Sequence, residues 1–257
     1  MKLLEHAAIV NDTYAAGAMN HVLQVVQKAE ERLPFTVTVV RNDDALRKAV
    51  AIRQAAYARH VPGFAAELGS PEPNDHDPGS LVLLAESRLD GAPLGTMRIQ
   101  TNRFRDLAIA QSVELPTWLG NKSMAEATRL GVALGQTGRV VKTTLFKSFF
   151  LYCREANIDW MVIAARPPLD RQYEALMFED LFPGQFIPMR HGHNIPHRVL
   201  AFEVGTAEER WAEAHHPLYK FVFQTQHPDI DLSEADFSSW GRSAYRTEVP
   251  RRVAVDA

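Results

Sequence analysis

The sequence predicts one α/β domain built on an α+β-like mixed sheet with helices on both faces. Two observations carry this fold class. Residues 80 to 101 read as an antiparallel hairpin around Asp90-Gly91, a dipeptide suited to a tight reversal. A strand, a helix and a second strand then follow between residues 124 and 165, which implies parallel neighbours in the same sheet. No linker-like stretch divides the chain, so residues 1–257 are expected to form one domain.

The elements follow in order. From about Asp12 to Leu33, Ala, Val, Leu and Gln recur at helical spacing until Pro34, giving an N-terminal helical extension over about residues 1–33. Phe35 to Val40 alternates with β-branched residues and reads as a strand. Asn42 or Asp43 caps a helix whose face carries Leu46, Val50, Arg53 and Tyr57. Val61 to Gly79, rich in Pro, Gly and Asp, reads as a long loop of the kind that often carries function. Ser80–Ser87 and Leu94–Thr101 are the hairpin strands. Met124 to Val132 is an interior strand, and a glycine-punctuated loop spans Gly131 to Gly138. A helix is expected from Arg139 to about Ala156, with Val141, Leu145, Phe149 and Tyr152 on one side. An apolar strand over Ile158–Ala165, a short helix over Arg171–Asp180 and a strand over Arg198–Val204 complete the domain. A helix near Trp211 opens a C-terminal extension over about residues 205–257.

Composition excludes several function classes. The net charge is −3, with both signs interleaved, so no basic face favours nucleic acid. The single cysteine, Cys153, lies in an apolar helical run, which excludes an intrachain disulfide and fits a buried thiol in a reducing cytoplasm. Glu5, His6, Asn11 and Asp12 interrupt the N-terminus, which therefore lacks the apolar centre of a secretory signal. No run approaches the roughly 18 apolar residues of a transmembrane segment.

Four charged residues stand where the pattern expects core: Arg53, Arg98, Glu126 and Arg129. Buried charges are costly unless paired, so the set marks either a structural ion-pair network or an active site. Glu126 and Arg129 are separated by an odd number. On a regular strand they face opposite sides of the sheet, and only a bulge lets them share a site.

The segments Arg53-Gln-Ala-Ala-Tyr57, Asp75-His-Asp77, Leu94-Gly-Thr-Met-Arg98 and Glu126-Ala-Thr-Arg129-Leu-Gly-Val132 carry a family likeness. In this order, over roughly residues 35 to 204, the chain resembles the N-acyl amino acid synthases, relatives of the acyl-homoserine-lactone synthases within the GNAT acyltransferase fold. The resemblance implies transfer of a fatty acyl group from a thioester to the amine of an amino acid or similar small acceptor. It implies no tightly bound cofactor. The Asp75/Asp77 pair is more closely spaced than the family pattern, and Asp77 is the carry-over as a substrate-binding residue. Gly135-Gln-Thr-Gly138-Arg139 is a degraded form of the acetyl-coenzyme A loop, which leaves the phosphopantetheine of an acyl carrier protein as donor beside acyl-coenzyme A.

That chemistry assigns roles. Glu126 is the candidate general base, with Arg98 and Arg129 beside it; the alternative is that Glu126 only pairs with one of these arginines. A bulge and a splay between parallel strands, implied by the resemblance, would offer the amides of Leu130, Gly131 and Val132 to the thioester carbonyl. Gly135, Gly138, Arg139 and Lys142 would receive a phosphate at a helix start. Arg53 and Arg98 match an acceptor carboxylate, or are already occupied by Asp75, Asp77 or Glu126, with Arg53 leaning to structure and Arg98 to the site. His191, His193 and His197 invite a metal reading, but no carboxylate or cysteine partner accompanies them, and no metal is expected. Phe146, Phe149, Phe150 and Trp160 are core, or in part the wall of a lipid tunnel. The alternatives are a short-chain acetyl-coenzyme A N-acetyltransferase and a non-catalytic module binding an acyl-thioester or lipid.

Overall fold

The computed structural model describes residues 28–235 and 237. Its main sheet runs β11–β2–β3–β4–β5–β6–β9–β7, with β8 on β9. The strands are β1 (Ala29–Glu30), β2 (Phe35–Val39), β3 (Ser80–Ser87), β4 (Pro93–Thr101), β5 (Met124–Val132) and β6 (Trp160–Ala165), then β7 (Glu179–Asp180), β8 (Ile187–Met189), β9 (Ile195–Glu203), β10 (Thr225–Gln226) and β11 (Ile230–Asp231). Neighbours from β2 to β5 are antiparallel, β5 and β6 are parallel, and β6 and β9 are antiparallel. The mixed sheet is the one expected. Among the described residues no helix is long and apolar enough to cross a membrane.

Helices cover both faces. The first, α1 (Asp43–Ala58), is capped by Asn42, whose side chain accepts from Ala45 N–H. It packs Leu46, Ala49 and Val50 onto Val82 and Leu84. The opposite parity of β3, Leu81, Leu83 and Ala85, joins the large core under α3 (Gly135–Glu155). There Val141, Leu145, Phe149 and Tyr152 are buried at the expected spacing. Phe146, Phe149 and Phe150 belong to this core: Phe146 stacks on Trp211, and Phe150 meets Phe202 and Phe223 edge-on. Trp160 lies in a separate cluster against Trp118, so the four aromatic residues form no common wall.

Several boundaries differ from expectation. Residues 12–27 of the expected first helix lie outside the described residues, and the remainder, Lys28 to Leu33, is not helical. Ala29–Glu30 instead pairs with β10, and the Asp229 carboxylate accepts from Leu33 N–H at 2.8 Å. Pro34 adds to this by disfavouring the helical region for the residue before it. The long loop contains α2 (Pro62–Glu67) and a 3₁₀ turn at Pro73–Asp75. The expected glycine loop is almost absent, because β5 keeps Gly131 and Val132 and α3 begins at Gly135. The next helix, α4, covers Leu169–Ala175, and Glu179–Asp180 forms β7 instead of continuing it. Near Trp211, α5 spans Ala207–Glu213. The C-terminal part is not merely appended, since β11 adds to the sheet beside β2.

On the α1 face the covering layer has two parts. One is α1 over β3 to β5. The other is an apolar cluster over β6 and β9, built on Leu107, Ile109, Val162, Met189, Val199 and Ala201. The charged residues singled out above occupy the seam between them.

Candidate active site

The register of β4 and β5 shifts at this seam. Arg98 pairs with Thr128 but Thr96 pairs with Gly131, so β5 carries one extra residue. Arg129 takes the left-handed conformation at φ 56, and the bulge brings its side chain to the same face as Glu126. The parity problem is thereby solved.

A split accompanies the bulge. The parallel β5–β6 pairing runs from Met124↔Trp160 to Ala127↔Ile163 and stops there, although both strands continue. The gap opens into a crevice of about 430 Å³, solvent-open space included. Ala127, Thr128, Arg129, Ala164 and Arg166 line its floor, Tyr57, Val61 and Phe64 one wall, and His191, Gly192, Ile195 and His197 the other. Farther along β5, Ala133 N–H donates to Leu94 O at 2.8 Å across β4. By alternation Gly131 also turns to β4, and Val132 turns to the other edge, where its carbonyl accepts from Arg59 Nη2 at 2.6 Å.

Arg53, Arg98 and Arg129 share two carboxylates. Asp75 accepts two hydrogen bonds from Arg53, at 2.9 and 3.0 Å, and one from Arg98 at 3.1 Å. Glu72 accepts from Arg53 and Arg98 at 3.1 Å each, and from Arg129 at 2.6 and 2.7 Å. Glu72 N–H donates to Asp75, closing a capping box on the 3₁₀ turn that presents both acids. Burial raises both carboxyls, and the arginines reverse this, leaving them below their ordinary values. Both Nη atoms of Arg53 and Nη1 of Arg98 are thus engaged with protein carboxylates, and both side chains are essentially fully buried. Of the two alternatives the sequence left open, occupation by Asp75 is the one seen, and it leaves Arg53 and Arg98 no part of the crevice lining. Asp75, not Asp77, is the acid in the network; Asp77 pairs with Arg105. Glu72 went unnoticed because an acid in a Pro-rich loop is unremarkable. Its signal was the box Glu72-Pro-Asn-Asp75.

Glu126 does not join an arginine. Its Oε2 accepts from Ile109 N–H at 3.0 Å, and its Oε1, fully buried, has no hydrogen-bond partner among the described residues. Burial pushes its pKa up to about 7, opposed by the Ile109 and Ala108 amides and by Arg98 and Arg129. His191 Nε2 lies 3.6 Å from Oε1. The His191 ring lines the crevice, and burial, aided by Arg129 and His197, lowers its pKa to about 4. His197 donates from Nδ1 to Ile195 O at 2.6 Å, and His193 turns away to Glu67 and Phe64. Arg129 lies over the Phe64 ring at 5.0 Å, and Arg166 has no carboxylate partner among the described residues.

The start of α3 is a second feature. No side chain caps it, its first turn has no acid, and Gly135 has φ +85. A Cβ on Gly138 would fall 1.8 Å from Ala133 O, so the turn closes only around glycine. Arg139 is exposed, and Lys142 bonds to Gln172. Cys153 is fully buried, and burial pushes its pKa well up, as suits an inert thiol.

No protein-family model matches the chain, and a search of curated proteins finds no match. Solved structures do match. The chain is similar to FeeM, an N-acyl amino acid synthase from uncultured soil microbes, with a TM-score of 0.58 and 19% identity, over 70% of this chain and 96% of FeeM. It is also similar to BjaI, a CoA-dependent acyl-homoserine lactone synthase solved with SAM and isopentyl-CoA, with a TM-score of 0.50 and 12% identity, over 75% of this chain and 93% of BjaI. What the chain holds in common with both is the fold that its sequence motifs imply.

Proposed function

We propose that the protein transfers an acyl group from a thioester, carried by acyl carrier protein or coenzyme A, to the amine of an amino acid or similar small acceptor. The observation that carries this reading is the split between β5 and β6 at the Arg129 bulge, with the unpartnered Oε1 of Glu126 behind it. Such a split lets a thioester lie along a free strand edge, where the amides of Leu130 and Val132, and not that of Gly131, which turns to β4, stabilise the developing oxyanion. An ammonium acceptor requires a group to take up its proton, and the Glu126 carboxyl, behind the crevice, is the acidic side chain placed to hold it. Arg129 holds the bulge in shape through Glu72, and Arg98 fixes the neighbouring Thr128 through Nε at 3.1 Å. Arg166, on the crevice floor without a carboxylate partner among the described residues, takes the acceptor's carboxylate in place of Arg53 and Arg98. The uncapped start of α3, with Gly135, Gly138, Arg139 and Lys142, receives the phosphate of the pantetheine arm. With Cys153 buried, transfer is direct.

The test is thiol release from acyl-coenzyme A and from acyl carrier protein, with and without a mixture of amino acids, followed by mass spectrometry. Acceptor-dependent thiol release with an N-acyl product supports the reading. Release of thiol at the same rate without acceptor, or no release from either donor, contradicts it. Turnover of acetyl-coenzyme A alone would favour the short-chain alternative.

A further inference from the structure

Glu126 is completely buried and is not part of the crevice surface, so it does not touch an amine held there. Between it and the crevice stands His191, whose side chain keeps 13% of its exposure. Two buried polar atoms in this contact lack hydrogen bonds, Glu126 Oε1 and His191 Nδ1, an arrangement that costs stability unless function uses it. The groups facing His191 are Glu126 and Arg129 from β5, Arg98 from β4, His197 from β9 and the backbone of Ala108. Among them the Glu126 carboxylate is the one negatively charged group, and the Ala108 backbone, which raises the His191 pKa, also favours a cationic ring. Resting on the acyl-transfer reading above, we propose that His191 is the group that takes the proton from the acceptor amine, and that Glu126 is a positioning residue that receives or balances this proton through the imidazole.

The step balances as follows. The amine nitrogen attacks the thioester carbonyl carbon and forms the C–N bond. Before that attack an ammonium acceptor gives one proton to His191 at Nε2, and Glu126 Oε1, 3.6 Å from the same nitrogen, balances or receives it. The tetrahedral centre collapses, the C–S bond breaks, and the thiolate departs. The second proton of the nitrogen, made acidic by C–N bond formation, neutralises the thiolate, so an acceptor that enters as a free amine does not need His191. The present Nε2–Oε1 distance is longer than a hydrogen bond, as catalytic contacts often are before substrate binds.

Three measurements on the full chain test this. First, His191→Ala should lower turnover about 100-fold or more, with partial rescue by added imidazole, while thermal stability stays near wild type. Second, the loss should shrink at least tenfold for an acceptor such as aminoacetonitrile, whose amine is largely unprotonated at neutral pH; a purely structural role would slow both acceptors alike. Third, the His191 ring nitrogens, followed by NMR, should titrate at a different pH in Glu126→Gln than in wild type. Turnover in His191→Ala within threefold of wild type overturns the relay but leaves acyl transfer standing. If wild type shows no acceptor-dependent thiol release, the acyl-transfer reading fails and the relay with it; an unchanged His191 titration in Glu126→Gln also overturns the relay.

Discussion

Two carboxylates hold three guanidiniums at the floor of the seam, and each acid is shared. Glu72 is the only partner of Arg129 among the described ion pairs, so Glu72→Gln leaves a buried cation without its counter-charge. We expect a loss on the order of 3 kcal/mol, read as a lower urea midpoint. Glu126 gives a pH signature. Its pKa rises from 4.5 to about 7 in the fold, so the native state keeps a proton that the unfolded chain has released. The resulting stabilisation is full below pH 4.5 and is lost as pH rises through 7. His191, lowered from 6.5 to about 4, works in the opposite sense: its contribution is full above pH 6.5 and fades as pH falls through 4. In wild type the two slopes oppose one another. Glu126→Gln removes only the falling one, and the variant should gain on wild type by roughly 3 kcal/mol between pH 4.5 and 7. Equal pH dependence in the two proteins would show that Glu126 is ordinary. At this scale the sequence was legible where charge broke an apolar pattern, as at Arg53, Arg98, Glu126 and Arg129. It was silent at Glu72, which lies in a polar segment where an acid attracts no notice, and it read His191 only as one of three histidines that invite a metal, not as a neighbour of Glu126.

Among the elements, the hairpin, the Asn42-capped helix and the strand–helix–strand unit follow from local pattern, because turn chemistry and periodicity agree there. The residues after Val61 do not, since α2 and the 3₁₀ turn are short and are held by contacts from elsewhere, such as Arg53 and Arg129 on Glu72. The bulge was anticipated as the condition for Glu126 and Arg129 to meet and as a feature the resemblance implies. Its position depends on the β4 register, which no local signal encodes. Extending α3 back to Gly135 depends on glycine: Gly138→Ala should cost about 2 kcal/mol by driving Cβ into Ala133 O. Circular dichroism melts would report this. A stability equal to wild type would mean that the β5–α3 turn yields easily.

For the whole molecule, the sheet order and both covering layers follow from the element sequence, whereas the closure of the N- and C-terminal parts on one another does not. That closure rests on remote pairs: Asp229 binds Leu33 N–H, Arg32 and Arg88, and Lys147 reaches Phe221 O, Thr225 O and His227. The same layers create the seam. The apolar covers over β3–β5 and over β6–β9 do not merge, and the strands beneath them part after Ala127 and Ile163. The central claim is that this gap is where thioester and amine meet. Ala164→Trp tests it most directly, because Ala164 lines the gap and a large ring there fills the space while every member of the charged network keeps its side chain. With acyl donor and amino acids supplied, wild type should yield an N-acyl product by mass spectrometry, and the variant, at near-native stability, should yield at least 100-fold less. A variant that folds and makes the product at the wild-type rate would contradict the account.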